Sequence, residues 1–385
     1  MYHTETECVI PVKKSFFAAV AAVLLLASLP HAVWAAPDVH AQGAVLIEAS
    51  SGAVLLDVDA HRRLPMASTT KIMTALVALE NCDPQKEVRI SDRAIGVEGS
   101  SVYLQSGEVL TMEQLLYALL LESANDAAEA IAIEVAGDVS SFADLMNETA
   151  ARLGLSDTHF TNPHGLDDPE HYSSAYDLAM LTRYALTNPE FARIVSTYKT
   201  TIPLAGDDGV RVLINHNKML KYYDGTIGVK TGYTKRCGRC LVSAAVRDGV
   251  TMIAVTLSAP NDWQDHTAML DYGFTLYEGA ELAQPGEIRC QLPCLGSATE
   301  LVYASNNQSV SAILPRNHGP ITYVVEANRY LCAPVCAGEA VGEIVFSCDG
   351  EEIARVPLCA ESGAEALPKT KSKMELLKDF FTLNK

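Results

Sequence analysis

Two groups of strand-like runs lie far apart in this chain with a block of helices between them, and that order limits what it can fold into. GAVLIEASSGAVLLDVDAHRR, from Gly43, reads as two strands around a turn at Ser50-Ser51-Gly52, because Val45, Ile47, Val54 and Leu56 alternate with less apolar neighbours. Far downstream, GTIGVKTGYT, CLVSAAV and TMIAVTL read as three more strands, the last two joined by Arg247-Asp248-Gly249. Between the groups the period becomes helical. PMASTTKIMTALVALE, from Pro65 to Glu80, spaces Ile72, Ala75, Leu76 and Leu79 for one helix. Thr111 and Gln114 form a capping box ahead of LLYALLLE. DAAEAIAIEVAG makes a third helix that ends at Gly137, a fourth runs from Ser141 to Leu153 before Gly154, and DLAMLTRYAL makes a fifth. YKTTIPL and VRVLI, on either side of Ala205–Gly209, read as a hairpin. Strands so widely separated must pair in one sheet with helices on its faces. The expected class is therefore α+β, an antiparallel sheet flanked by helices.

After about Gly279 the helical period vanishes and short alternating runs such as TELVYAS, ITYVVEA and GEIVFSC take over. They predict a second, small all-β domain, a sandwich or barrel, over residues 282–362, behind a main domain over 36–278. The tail, residues 363–385, predicts an amphipathic helix: Met374, Leu376, Leu377, Phe380, Phe381 and Leu383 fill one half, and Lys369, Lys371, Lys373 and Lys378 add charge. In a chain of net charge −18, a basic amphipathic end points to a membrane surface, or else to a terminus docked on its own domain. The same acidity argues against nucleic acid as a partner. At the other end, Lys13-Lys14, the apolar run Phe16–Leu29 and the small residues up to Ala35 form an export signal over residues 1–35, with an uncleaved anchor as the competing reading. Export makes disulfides an option for the ten cysteines, six of which crowd the last quarter (Cys290, Cys294, Cys332, Cys336, Cys348, Cys359); cross-links, a metal site and free buried thiols all remain open.

Ser68 and Lys71 stand three residues apart at the start of the first helix, so the ammonium stacks one turn from the hydroxyl. A serine there becomes a nucleophile if the lysine takes its proton, which requires the lysine pKa to fall far below its free value of about 10.4. Burial and a neighbouring cation both lower it. Two further motifs follow in order: Ser123-Ala-Asn125 at a break between apolar helices, and Lys230-Thr231-Gly232 on a strand. His164, His171 and His216 offer a serine–histidine pairing, but no G-x-S-x-G frames a serine, and they read as loop histidines. Cys237-Gly-Arg-Cys240 has redox spacing yet lies in a strand-to-strand turn with no following helix.

The set S-x-x-K, S-x-N and K-T-G, with NPHGLDD, HYSSAYDLA and KTGYTKRCGRCLVSAAVRDG around it, resembles the low-molecular-weight penicillin-binding proteins, the D-alanyl-D-alanine carboxypeptidases. The resemblance covers nearly the whole mature chain, including the trailing β domain and the tail. It implies that Ser68 attacks the penultimate D-alanine carbonyl of peptidoglycan stem pentapeptides, with Lys71 as base and Ser123 relaying a proton to the departing amine. It implies that Asn125 holds Lys71 and the substrate amide, that Lys230 and Thr231 receive the terminal carboxylate, and that Gly232 permits a close backbone approach. The N–H groups of Ser68 and Tyr233 would form the oxyanion hole, and Asn217 in NHNKML would sit near the cleft. β-Lactams would be covalent inhibitors, no metal or cofactor is implied, and the enzyme would work on the outer face of the cytoplasmic membrane. Family members usually carry a small residue where Cys237 stands, so that thiol is a departure. A D,D-endopeptidase uses the same residues. A class A β-lactamase needs an E-x-x-L-N carboxylate that this chain lacks, and a non-catalytic wall-binding protein would not need every motif residue intact.

Overall fold

The computed structural model describes residues 35–206 and 209–368; the expected leader up to residue 34 and the expected helix from Met374 to Leu383 lie outside the described residues. Gly43–Glu48 pairs antiparallel with Val54–Val58 on one side and with Val250–Leu257 on the other, so that Leu46 faces both Leu56 and Ala254. Gly238–Arg247 and then Thr226–Thr234 complete a five-stranded antiparallel sheet, with Thr226–Thr234 at its edge. The early and late strands thus join in one sheet, as the spacing predicts. Its inner strands are buried on both faces, which is why AVLI and MIAVTL are nearly continuous apolar runs.

The Lys71–Asn81 helix is more deeply placed than its expected amphipathic stripe suggests: all eight residues from Lys71 to Ala78 are buried. IMTALVA is apolar all round, which suits a helix packed among other helices and not at a surface. Met112–Leu121 carries the expected capping box, with Thr111 Oγ1 accepting from Gln114 N–H at 3.2 Å and Gln114 Oε1 from Thr111 N–H at 2.9 Å. Asn125–Ala136 stops where Gly137 turns left-handed at φ +85°.

Besides the single turn Met219–Tyr222, two longer helices escape the periodicity. Pro189–Ser196 is only eight residues long and is announced by its cap, Asn188 Oδ1 accepting from Glu190 and Phe191 N–H, and by proline at its first turn. Asp262–Leu276 covers the opposite face of the sheet, and its buried side begins with Asp262, Asp265 and His266 before Met269, Leu270 and Phe274. Those polar residues blur the apolar stripe. His266 is satisfied between Ser243 Oγ at 2.5 Å and Thr256 Oγ1 at 3.0 Å, and burial pushes its pKa down to about 3, so it packs as a neutral ring.

The hairpin of Lys199–Pro203 and Val210–Ile214 forms a sheet of its own. Arg211 ties it to the loop beside the cleft, donating to the Val102 carbonyl at 2.9 Å, the Tyr103 carbonyl at 3.1 Å and the Glu108 carboxylate at 2.9 Å. From Tyr277 the architecture changes: Tyr277–Ala283 pairs with Val310–Pro315, and six further strands form a second sheet around Val302, Ile344, Phe346 and Leu358. Ala364 and Ala366 still bridge to Val335 and Ser297. All nine described cysteines are free thiols, but not all are buried: Cys294, Cys348 and Cys359 are, whereas Cys332 and Cys336 are exposed. No helix among the described residues is long and apolar enough to cross a membrane.

Arg211 and Glu108 form a buried ion pair, their side chains only 9% and 3% exposed. Removing one partner leaves the other charge buried alone. Arg211→Met is expected to lower unfolding stability by about 3 kcal/mol in urea titration, with Arg211→Met/Glu108→Leu recovering most of that loss.

Candidate active site

Ser68 sits in a 3-10 turn, Ala67–Thr70, that feeds directly into the Lys71 helix. The turn is fastened by its own threonines: Thr69 Oγ1 donates to the Met66 carbonyl at 2.7 Å and Thr70 Oγ1 to the Ala67 carbonyl at 2.8 Å. Ala67 adopts φ +48°, a conformation that costs a non-glycine residue about 1 kcal/mol or more and is worth attention near a reacting group. The peptide that follows it carries the Ser68 N–H.

Lys71 is fully buried, and its Nζ lies 2.9 Å from Ser68 Oγ, 2.7 Å from Asn125 Oδ1 and 2.6 Å from the His164 carbonyl oxygen. Burial first, and the Lys230 cation second, push its pKa well below the ordinary lysine range against a smaller opposing pull from Asp126. A neutral amine has two hydrogens and one lone pair. Asn125 Oδ1 and the His164 carbonyl can only accept, so they take the two hydrogens. The lone pair is left for Ser68, whose hydroxyl donates to it.

Each oxygen around the amine is held from behind. Asn125 N–H donates to the Ser100 carbonyl at 2.7 Å, and Asn125 Nδ2 donates to the Glu98 carbonyl at 2.5 Å, leaving one amide hydrogen uncommitted. Asp126, unmarked in the sequence reading, accepts from Ser101 Oγ at 2.6 Å and Leu104 N–H at 3.0 Å and so fixes the same loop. In the NPHG turn, Asn162 Oδ1 accepts from Gly165 N–H at 2.7 Å, and Thr74 on the central helix donates to the Pro163 carbonyl at 2.6 Å. His164 therefore belongs to the site through its backbone. Its ring, 3.7 Å from Glu129, is held below the ordinary histidine pKa mainly by burial.

Ser123 occupies the joint between two helices at φ +60°, with its hydroxyl unpartnered among the described residues and opening on the cleft. The cleft holds about 580 Å³ and is lined by Ser68, Ser123, His216, Thr231, Gly232 and Tyr233, among others. Lys230 is buried, donates to the Thr231 carbonyl at 2.9 Å, and is pushed down to about 7 by burial. Gly232 does permit a close approach, but the backbone it meets is the enzyme's own: a Cβ there would lie 3.0 Å from the Met66 oxygen and 3.1 Å from the Ser68 nitrogen. The Tyr233 side chain is 66% exposed. Asn217 is not on the cleft wall; it is fully buried, and its Oδ1 accepts from Met219 N–H at 3.0 Å. Its neighbour His216 takes the wall position, 3.2 Å from Glu122. Cys240, across the strand pair from Gly232, also lines the cleft, with its sulfur 3.9 Å from that of Cys237; the thiol contact, with Thr234, lowers Cys237 to about 7, while the same contact and burial push Cys240 up.

With this geometry the relatives can be compared. The D-alanyl-D-alanine carboxypeptidase family profile matches residues 31–261, and that of the penicillin-binding protein 5 C-terminal domain matches 277–366. The chain belongs to the D-alanyl-D-alanine carboxypeptidase family. It is 32% identical over 332 residues to D-alanyl-D-alanine carboxypeptidase DacF of Bacillus subtilis, covering 84% of this chain and 85% of the relative. Penicillin-binding protein 5 of Haemophilus influenzae has a similar structure, with TM-score 0.62, 27% identity and coverage of 86% and 98%. So has the D-alanyl-D-alanine carboxypeptidase of Mycobacterium tuberculosis, with TM-score 0.60, 34% identity and coverage of 64% and 96%.

His171 supports the carboxypeptidase's serine turn in a way its sequence position does not signal. Thr161 N–H donates to Nδ1 at 3.0 Å, so the proton resides on Nε2, which donates to Thr70 Oγ1 at 2.8 Å. Thr70 passes the constraint to the Ala67 carbonyl, and burial, pushing His171 down to about 3, keeps the ring neutral. His171→Leu is expected to slow acylation by a fluorescent penicillin about tenfold, the cost of one lost buried hydrogen bond, whereas His171→Gln, whose amide can donate to Thr70, retains most of the rate; stopped-flow labelling of folded variants reads both.

Proposed function

We propose that Ser68 is the nucleophile of a serine D,D-carboxypeptidase that removes the terminal D-alanine from peptidoglycan stem pentapeptides, with Lys71 as the base. The observation that carries it is the buried Lys71 amine, its pKa pushed well below the ordinary lysine range by burial and Lys230, with Nζ 2.9 Å from Ser68 Oγ. Ser68 gives its proton to Lys71 as Oγ attacks the penultimate carbonyl. The oxyanion that forms is met by the N–H groups of Ser68 and Tyr233. The proton then returns through the Ser123 hydroxyl to the departing D-alanine nitrogen, and water hydrolyses the ester. Lys230 and Thr231 receive the terminal carboxylate, a cation and a hydroxyl suited to an anion, while Asn125 keeps Lys71 in place. A β-lactam enters by the same acylation and remains as the ester. The leader supports a location outside the cytoplasm, and the basic tail supports attachment to the membrane surface. Ending the chain after residue 366 is then expected to release the enzyme from the membrane fraction without loss of activity.

Incubation with a pentapeptide ending in D-Ala-D-Ala is expected to release D-alanine, and Ser68→Ala to abolish both release and penicillin labelling. Preferential cleavage of cross-linked dimers would favour the D,D-endopeptidase. The pH profile is a sharper check. The acid limb of kcat/KM reports protonation of Lys71, and the alkaline limb near pH 7 the loss of charge from free Lys230. Lys230→Gln removes a cation that depresses Lys71, so the acid limb moves to higher pH while the alkaline limb disappears; an unmoved acid limb would contradict the assignment.

A further inference from the structure

The cleft continues past the serine. Beyond Tyr233 its wall is formed by Arg239, Asp262 and Trp263, none of which the acyl transfer uses. Two of them hold the third. Asp262 is buried at the start of the Asp262–Leu276 helix, and its Oδ1 accepts from Arg239 Nε and from Trp263 N–H, both at 3.0 Å. The guanidinium carbon lies 5.9 Å from the Trp263 ring centre. With Nε committed, both Nη groups have no hydrogen-bond partner among the described residues, and they form a planar fork on a half-exposed, restrained side chain.

The direction of the substrate fixes what meets this fork. The terminal carboxylate belongs at Lys230 and Thr231 and the scissile carbonyl at Ser68, so the acyl part runs on along the edge strand past Gly232 and Tyr233. Tyr233 is the cross-strand partner of Arg239. One extended residue advances about 3.3 Å, so the third stem residue, next before the penultimate D-alanine, arrives beside this pair. Lys235 and Arg236 are exposed in the adjoining turn, giving three cations within residues 235–239 of a chain of net charge −18. Of the nearby carboxylates, Asp262 pairs with Arg239 through Oδ1, and Asp167 Oδ1 lies 3.0 Å from Thr234 Oγ1.

We propose that Arg239 forms a subsite for a free carboxylate on the side chain of the third stem residue, and so selects stems carrying a diaminodicarboxylate over stems carrying lysine. A carboxylate accepts both Nη groups of the fork at once, whereas a lysine ammonium, lacking that carboxylate, meets three like charges. The inference rests on the carboxypeptidase reading for the direction of the substrate.

The test compares two pentapeptides that differ only at the third residue, 2,6-diaminopimelate or L-lysine, by kcat/KM for D-alanine release and by competition against fluorescent penicillin labelling of Ser68. The wild-type enzyme is expected to favour diaminopimelate about tenfold in both assays, and Arg239→Leu to bring the ratio close to one. Arg239→Lys, which keeps the charge and loses the fork, is expected to give an intermediate ratio; both variants are first checked for wild-type thermal unfolding. A wild-type enzyme that treats the two peptides alike, or a preference that survives Arg239→Leu, overturns the subsite. Absence of D-alanine release from either peptide would count against the carboxypeptidase reading, while the competition assay would still decide the subsite.

Discussion

A lysine amine buried among oxygens, with no ion-pair partner among the described residues, is the constraint on which this active site depends. Taking an ammonium out of water costs several kcal/mol unless an anion accompanies it, and the inexpensive response is to give up the proton. Lys230, itself buried and poor in counter-charge, adds repulsion and makes the charged form of Lys71 worse still. Once the amine is neutral, its hydrogen-bond inventory sets the chemistry. Two carbonyl-type oxygens consume its hydrogens, and among the described residues the serine is the one remaining partner. The loops at Glu98–Leu104 and Asn162–Gly165 work mainly to hold those two oxygens still.

The second constraint is backbone against backbone. The Ser68 turn lies between Gly165, where a Cβ would fall 2.0 Å from the Ala67 oxygen, and Gly232, where it would fall 3.0 Å from the Met66 oxygen. The unusual φ of Ala67 is therefore clamped from both sides and from below by the Thr70–His171 chain. This joins the fold to the reaction. The edge strand carrying Lys230–Tyr233 packs directly against the serine turn, so the two halves of the site are positioned by the same contact.

Much of this could be read from the amino acids because it is written in side chains at fixed spacing. The apolar runs of Gly43–Glu48 and Val250–Leu257, the capping box at Thr111, and the three motifs all rely on residue type. What escaped relies on the backbone or on polar packing. His164 reads as a loop histidine, and what it contributes is a carbonyl, which any residue could supply and no side-chain pattern signals. Asp262–Leu276 buries Asp262, Asp265 and His266, which look like surface residues until Ser243, Thr256 and Arg239 are brought beside them by the sheet. Asn217 stands next to the position that faces the cleft, and only the path of the chain reveals that His216 has it. The Asn125 amide was expected to serve both Lys71 and substrate; its nitrogen already supports Glu98, a partner that sequence spacing does not reveal.

The most direct test is the titration of Lys71 itself. With lysines labelled at the ε-carbon, and the Lys71 signal assigned by its absence from Lys71→Arg, proton–carbon correlation spectra give the amine's own midpoint. The account predicts a midpoint far below the free lysine value of about 10.4, with the neutral form dominant at the pH where the enzyme acylates. A midpoint near 10.4 would contradict it, and the proton of Ser68 would then need another acceptor.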